Sequence, residues 1–165
     1  MNTSSSTSPQ IDPRGPRFGA GITSVLLLVT IALGLTEVGT TSSLAERAST
    51  PAFLLLALLT ALFAWGALRG VSKHPYGLLY RSLVRPRLAP PEFTESEKPP
   101  TFAQLVGFLV VGTGVVLQLI GVPYGLVIAA SAAFIASFLN SVFGYCLGCE
   151  IYALLVRAKL IPAES

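Results

Sequence analysis

Charge is what this chain has least of. Only 12% of its residues are Asp, Glu, Lys or Arg, about half the share of an average soluble domain. Hydrophobic residues make up 52% and the mean hydropathy is +0.69, which points to long apolar runs that cross a membrane. No acidic residue lies well inside any of those runs, so the carboxylate relay usual in an ion-coupled pump is missing. Ligand-forming side chains are just as scarce. Two cysteines and one histidine offer at most three ligands per chain, too few for a four-coordinate zinc site unless a homodimer completes it. A P-loop, a dinucleotide fingerprint, a serine triad and a basic nucleic-acid motif are all missing, which leaves no cofactor and no nucleic-acid partner to expect. The first ten residues, MNTSSSTSPQ, hold almost nothing to bury and read as a disordered tail, 1–10, with no secretory signal.

What is present is four apolar stretches, at about 18–36, 51–68, 102–120 and 123–142. Each approaches the roughly 20 residues that span a hydrocarbon core of about 30 Å. In lipid the backbone must satisfy its own hydrogen bonds, and no barrel-type alternation is seen, so all four are expected to be helices. The fold class is therefore an all-α integral membrane domain over 11–160, in contact with the lipid bilayer. Of the eleven Lys and Arg residues, only Arg47 falls on one side of the predicted spans; the other ten lie before span 1, between spans 2 and 3, or after span 4. The positive-inside rule then places both termini and the central loop in the cytoplasm, in a multi-pass protein of the plasma membrane.

The chain also resembles itself. LLYRSLVRPRL (Leu78 to Leu88) aligns without gaps to EIYALLVRAKL (Glu150 to Leu160), with Tyr80, Leu83, Val84, Arg85 and Leu88 recurring as Tyr152, Leu155, Val156, Arg157 and Leu160. RGPRFGA before span 1 likewise resembles KPPTFAQ before span 3. Tyr, Leu and Arg are common at membrane interfaces, so convergence is an alternative. Five identities in one window favour two pseudo-repeated two-helix units, each followed by a cytoplasmic amphipathic segment. In those segments Arg81 and Arg85, and Arg157 and Lys159, are expected to face lipid phosphates.

Both cysteines sit in FGYCLGCEIY, as C-x-x-C directly after span 4. Gly144 can break the helix there, and Cys146 would then open a new one whose N–H groups and dipole favour a thiolate. Spacing of i, i+3 puts Cys146 and Cys149 on one face, so attack by the first sulfur and resolution by the second are feasible. Glu150 works against the thiolate. Cytoplasmic reductants disfavour a permanent disulfide. Three readings stay open: a reactive dithiol, small packing residues beside Gly144 and Gly148, and a partial metal site. By the repeat, Cys146 is equivalent to His74 and Cys149 to Gly77, so His74 is expected across a shared vestibule from the cysteines.

IDPRGPRFGAGIT, RPRLAPPEFTESEKPPTFAQLVG and LNSVFGYCLGCEIYALL together resemble the bacterial, largely actinobacterial, membrane family catalogued as domain of unknown function 4395. The resemblance runs from Ile11 to Val156 and is most specific at Phe143, Gly144, Cys146, Gly148, Cys149, Glu150 and Tyr152. It implies no defined activity. What it does imply is a neighbourhood with thioredoxin-like and rhodanese-type sulfurtransferase proteins, and hence a thiol or sulfur role. Two functions are carried forward: a cytoplasmic-face thiol-redox or sulfur-transfer component, with Cys146 and Cys149 reacting and His74 and Glu150 assisting, or a non-enzymatic scaffold or small permease with structural cysteines.

Overall fold

A computed structural model describes residues 9–161. Its helices are α1 (Arg14–Glu37), α2 (Leu44–Ser49), α3 (Pro51–Arg69), α4 (Pro75–Leu79), α5 (Lys98–Leu119), α6 (Gly125–Phe138) and α7 (Leu147–Arg157). One further turn of π-helix extends α4 through Val84, and another extends α6 through Phe143. Four of these helices are long and apolar enough to cross a membrane, with mean hydropathies between 1.9 and 2.2. The chain is a membrane protein. At 1.5 Å per residue the 24 residues of α1 reach about 36 Å, enough for the hydrocarbon core with some tilt.

The helices outrun the apolar stretches. α1 begins at Arg14 and α5 at Lys98, ahead of the predicted Phe18 and Phe102. Proline explains the difference: Pro16, Pro99 and Pro100 occupy first-turn positions, where the missing N–H costs nothing. Hydropathy marks the membrane, not the helix. α6 starts later than its apolar run, because residues 121–124 form a tight turn in which Gly121 and Tyr124 both take positive φ.

α1 packs between α3 and α6, and α5 does the same from the opposite corner. The centre is a cluster of Leu27, Ala52, Leu56, Leu59, Val111, Leu126, Val127, Ala130 and Ala133. Outward positions such as Val25, Leu28, Leu54, Leu109 and Ile128 are more than half exposed, as a lipid-facing surface requires. Lipid tails remove the hydrophobic drive for helices to meet, so close packing of small residues and polar contacts holds the bundle instead. Ser24 on α1 donates to Ser137 on α6 at 3.0 Å within the buried interface, a contact worth roughly 0.6 kcal/mol in such settings. Gly114 lets α5 meet α6: a Cβ there would lie 2.6 Å from the Ala129 Cβ and 3.0 Å from Leu56.

Two features at the bundle ends escape hydropathy altogether. α2 opens with a reciprocal capping box between Ser43 and Glu46. Arg47 on α2 then donates to the Leu119 carbonyl at 3.1 Å, closing the end of α5. Glu37 is half-buried and accepts from the Ala52 N–H at 3.2 Å, capping α3. At the other end, β1 (Gln10–Ile11) pairs antiparallel with β2 (Glu95–Ser96). Positions 1–8 of the predicted tail lie outside the described residues.

Gly114→Val should overpack the α5–α6 contact, at a cost of about 1–3 kcal/mol. Gly112→Val, which meets only the Thr60 methyl at 3.7 Å, should cost little. Thermal unfolding of the two detergent-solubilised variants checks this, and equal midpoints would contradict it.

Candidate functional site

The end of the bundle that carries both termini is hollow. A cavity of about 660 Å³ runs from the β1–β2 strap inward between α1, α3, α5 and α6. Leu59, Leu62, Phe63, Val106 and Val110 form its deep wall, while Cys146, Cys149, His74 and Glu150 line it nearer the mouth.

Local backbone chemistry puts the cysteines there. The π turn after α6 stops at Gly144, whose φ of 70° is left-handed and suits glycine. Arg17 of α1 reaches across to this turn, its guanidinium near the Val142 carbonyl at 3.5 Å. Two residues later Cys146 is the N-cap of α7, and its sulfur accepts the Cys149 N–H at 3.3 Å. That hydrogen bond meets one of the orphan donors of the helix start. Buried Gly148 lets α7 settle directly onto Ala103 of α5.

Cys146 and Cys149 are joined as a disulfide, with Cα atoms 5.2 Å apart, inside the range of about 4.4–6.8 Å that a bridge needs. Three readings of the pair were open from the sequence, with only a permanent disulfide disfavoured. An N-cap and the third helical position bring the two sulfurs together within one turn. The bond spans one turn and ties α7 to no other element.

His74 occupies the matching place at the head of α4. It is 5% exposed and is the N-cap residue, its Nδ1 accepting the Tyr76 N–H at 3.2 Å. With Nδ1 an acceptor, Nε2 carries the proton and donates to the Leu62 carbonyl at 3.1 Å. The ring is neutral, and burial pushes its pKa below the ordinary histidine value. The Tyr76 ring packs beside it, tilted, at 4.7 Å between centroids. His74 and the cysteines thus share the cavity, while the ring's hydrogen bonds go to the backbone, at the Tyr76 N–H and the Leu62 carbonyl.

The basic residues separate into two groups. Arg81 donates to the Ser72 carbonyl at 2.6 Å and lines the cavity mouth with Arg85. Arg157, in the last turn of α7, and Lys159 just beyond are exposed and lie away from the cavity.

Residues that sequence reasoning missed close the mouth. Asp12 accepts from Arg14 at 2.8 Å and from the Tyr80 hydroxyl at 3.0 Å. Arg14's hydrogen bonds hold the Asp12 carboxyl below the usual carboxylate range. Glu95, opposite Ile11 in the strap, is pushed upward, first by burial and then by Asp12. Gln104 and Asn140 add neutral polar groups to the cavity wall. Only the adjacency of Asp12 and Arg14 is visible in one dimension. Among the described residues no group of three or more His, Cys, Asp or Glu is placed to hold a metal ion.

A four-span bundle with a paired-cysteine cavity at one end defines the class of protein. The chain belongs to the family described as domain of unknown function, DUF4395, which matches residues 11–157. No curated protein and no solved structure matches it.

Acid should loosen the head of α4. The folded-state pKa of His74 lies below the unfolded value of about 6.5, so the folded chain binds fewer protons and its stability is full above that value and falls with pH below it. Melting measured from about pH 7.5 down to about pH 5 should show a decline in the wild type that is smaller in His74→Gln. An identical decline in both would contradict it.

Proposed function

We propose that this protein is a thiol–disulfide exchange or sulfur-transfer component working at the cytoplasmic face of the plasma membrane. The observation that carries the reading is the setting of Cys146. Its sulfur receives the Cys149 N–H at the start of α7, with the Cys149 sulfur in bonding reach and both on the wall of a cavity. An N–H aimed at sulfur stabilises a thiolate. A disulfide across three positions also closes almost the shortest loop available, where cross-linking constrains the unfolded chain least. Chemistry is a better account of the pair than stapling.

The exchange balances without a cofactor. A partner thiolate attacks one sulfur of the bond, which breaks; a mixed disulfide forms, and the displaced sulfur leaves as a thiolate and takes a proton. The partner's second thiol then releases itself as a disulfide and leaves the dithiol here. A thioredoxin-like or rhodanese-type sulfurtransferase is the partner class the family resemblance implies, docking on the basic face. Cys146 is the attacking or persulfide-carrying sulfur and Cys149 the resolving one. His74 and Glu150 assist by lining the same space, and Arg85, Arg157 and Lys159 meet lipid phosphates, while Arg81, expected to do the same, is turned to the Ser72 carbonyl.

Orientation rests on the basic residues, ten of eleven of which lie at the end with the cavity. The two-copy reading draws support from paired contacts. His74 and Cys146 each cap their helix with a side chain. Phe18 packs on Tyr80 at 5.9 Å and Phe102 on Tyr152 at 5.7 Å. Gly19 lies against Tyr76 and Ala103 against Gly148, a corresponding junction with glycine in the place of tyrosine. A permease reading has less to stand on: the cavity ends against the apolar cluster of Leu27, Leu56, Val111 and Leu126, with no polar path through it.

Mass spectrometry after alkylation tests the reading. Membranes treated with a sulfur donor or a disulfide oxidant should yield a Cys146 persulfide or a closed pair, and Cys149→Ser should accumulate a mixed disulfide trapped on Cys146. Cysteines that stay unmodified under every condition would defeat it.

A further inference from the structure

Resting on that dithiol reading, we propose that the cavity binds a membrane-soluble quinone, which accepts the electrons of the reduced Cys146–Cys149 pair. The cavity joins two environments. Its outer wall carries the two sulfurs, and its deep wall is Leu59, Leu62, Phe63, Val106 and Val110, all from helices long and apolar enough to span the membrane. A volume of about 660 Å³ lies in the usual range for a small-molecule site, about 300–1,000 Å³. A water-soluble oxidant could touch the sulfurs from the mouth, yet it would leave that deep apolar space without an occupant. What fits both ends is an apolar body with two-electron, two-proton chemistry.

The polar groups point the same way. Gln104, Asn140 and Tyr76 line the cavity as neutral donors and acceptors, suited to carbonyl and hydroxyl oxygens. An oxyanion would need free positive charge, but Arg17 is turned to the Val142 carbonyl and Arg81 to the Ser72 carbonyl. Arg85 stands exposed at the mouth.

The step balances. Two S–H bonds break and the Cys146–Cys149 bond forms, while two electrons and two protons reduce the quinone's carbonyl oxygens to those of the quinol. Exchange with a dithiol partner at the mouth regenerates the reduced pair. The net reaction is partner dithiol plus quinone giving partner disulfide plus quinol.

The full chain in lipid nanodiscs, reduced, freed of reductant and kept anaerobic, provides the test. The probe is a fully substituted benzoquinone with a decyl chain, whose ring resists thiol addition. Quinol absorbance and alkylation mass shifts should show one quinol formed per disulfide closed. Ala136→Phe and Val110→Phe, each filling part of the cavity, should slow this by about tenfold or more, equivalent to about 1.4 kcal/mol per tenfold. Both variants should keep a cooperative melting transition, which shows that they are folded, and should still close the pair with the soluble oxidant diamide. In Cys146→Ser/Cys149→Ser the quinone should still raise the melting temperature, and adding Ala136→Phe should remove that rise. Closure by diamide but not by quinone, with no melting shift, overturns the quinone site and leaves the dithiol reading standing. Failure to close under both oxidants overturns the two together. Equal quinone rates in the wild type and in diamide-competent filled variants would place the reaction outside the cavity and overturn the proposal.

Discussion

A backbone in hydrocarbon cannot leave its hydrogen bonds open, and most of this structure follows from that constraint. It makes the four apolar runs helical over nearly all of their length. It also makes the places where helices stop expensive, because each terminus carries up to four orphan donors or acceptors. The chain answers with side chains: Thr50 and Glu37 at the head of α3, Arg47 at the tail of α5, His74 at the head of α4 and Cys146 at the head of α7. The candidate site is built from this terminus chemistry. The sulfur that caps α7 is the sulfur of Cys146, which lines the cavity.

Packing decides what surrounds it. Small residues let the helices approach closely in the middle of the bundle, where Gly114 meets Ala129 and Ser24 meets Ser137. Toward the end with the termini the helices no longer close on one another, and the segments after α3 and α6 fold back over the gap. One segment brings bulky Tyr76 against Gly19; the other brings Gly148 against Ala103. At one contact an aromatic ring fills the space, and at the other Gly148 lets α7 lie directly on Ala103.

How much of this was legible in the sequence depends on range. The spans were legible because hydropathy is a property of consecutive residues. So was the helix start at Cys146, since Gly144 and the i, i+3 cysteines lie within one turn of it. The capping box of α2 was equally local, written as Ser43 and Glu46, yet it hid in a polar loop that hydropathy passes over. Helix starts at Arg14 and Lys98 lie ahead of the apolar runs because proline extends a helix beyond the run that announces it. The approach of the two sulfurs was legible too, since an i, i+3 pair at a helix start lies within one turn.

The sequence by itself determined that the chain is a four-span membrane protein with its two cysteines at the head of a helix just past the last span. Periodicity, proline and glycine act over a few residues, and those features need nothing more. Only the tertiary structure decided that His74 is buried and neutral beneath the Leu62 carbonyl, and that Arg17 clasps the Gly144 turn. It alone showed the strap of β1 and β2 closing the mouth, and a single cavity joining the cysteines to the apolar interior. Each of those depends on contacts between residues 12 to 125 positions apart, which no window along the chain contains.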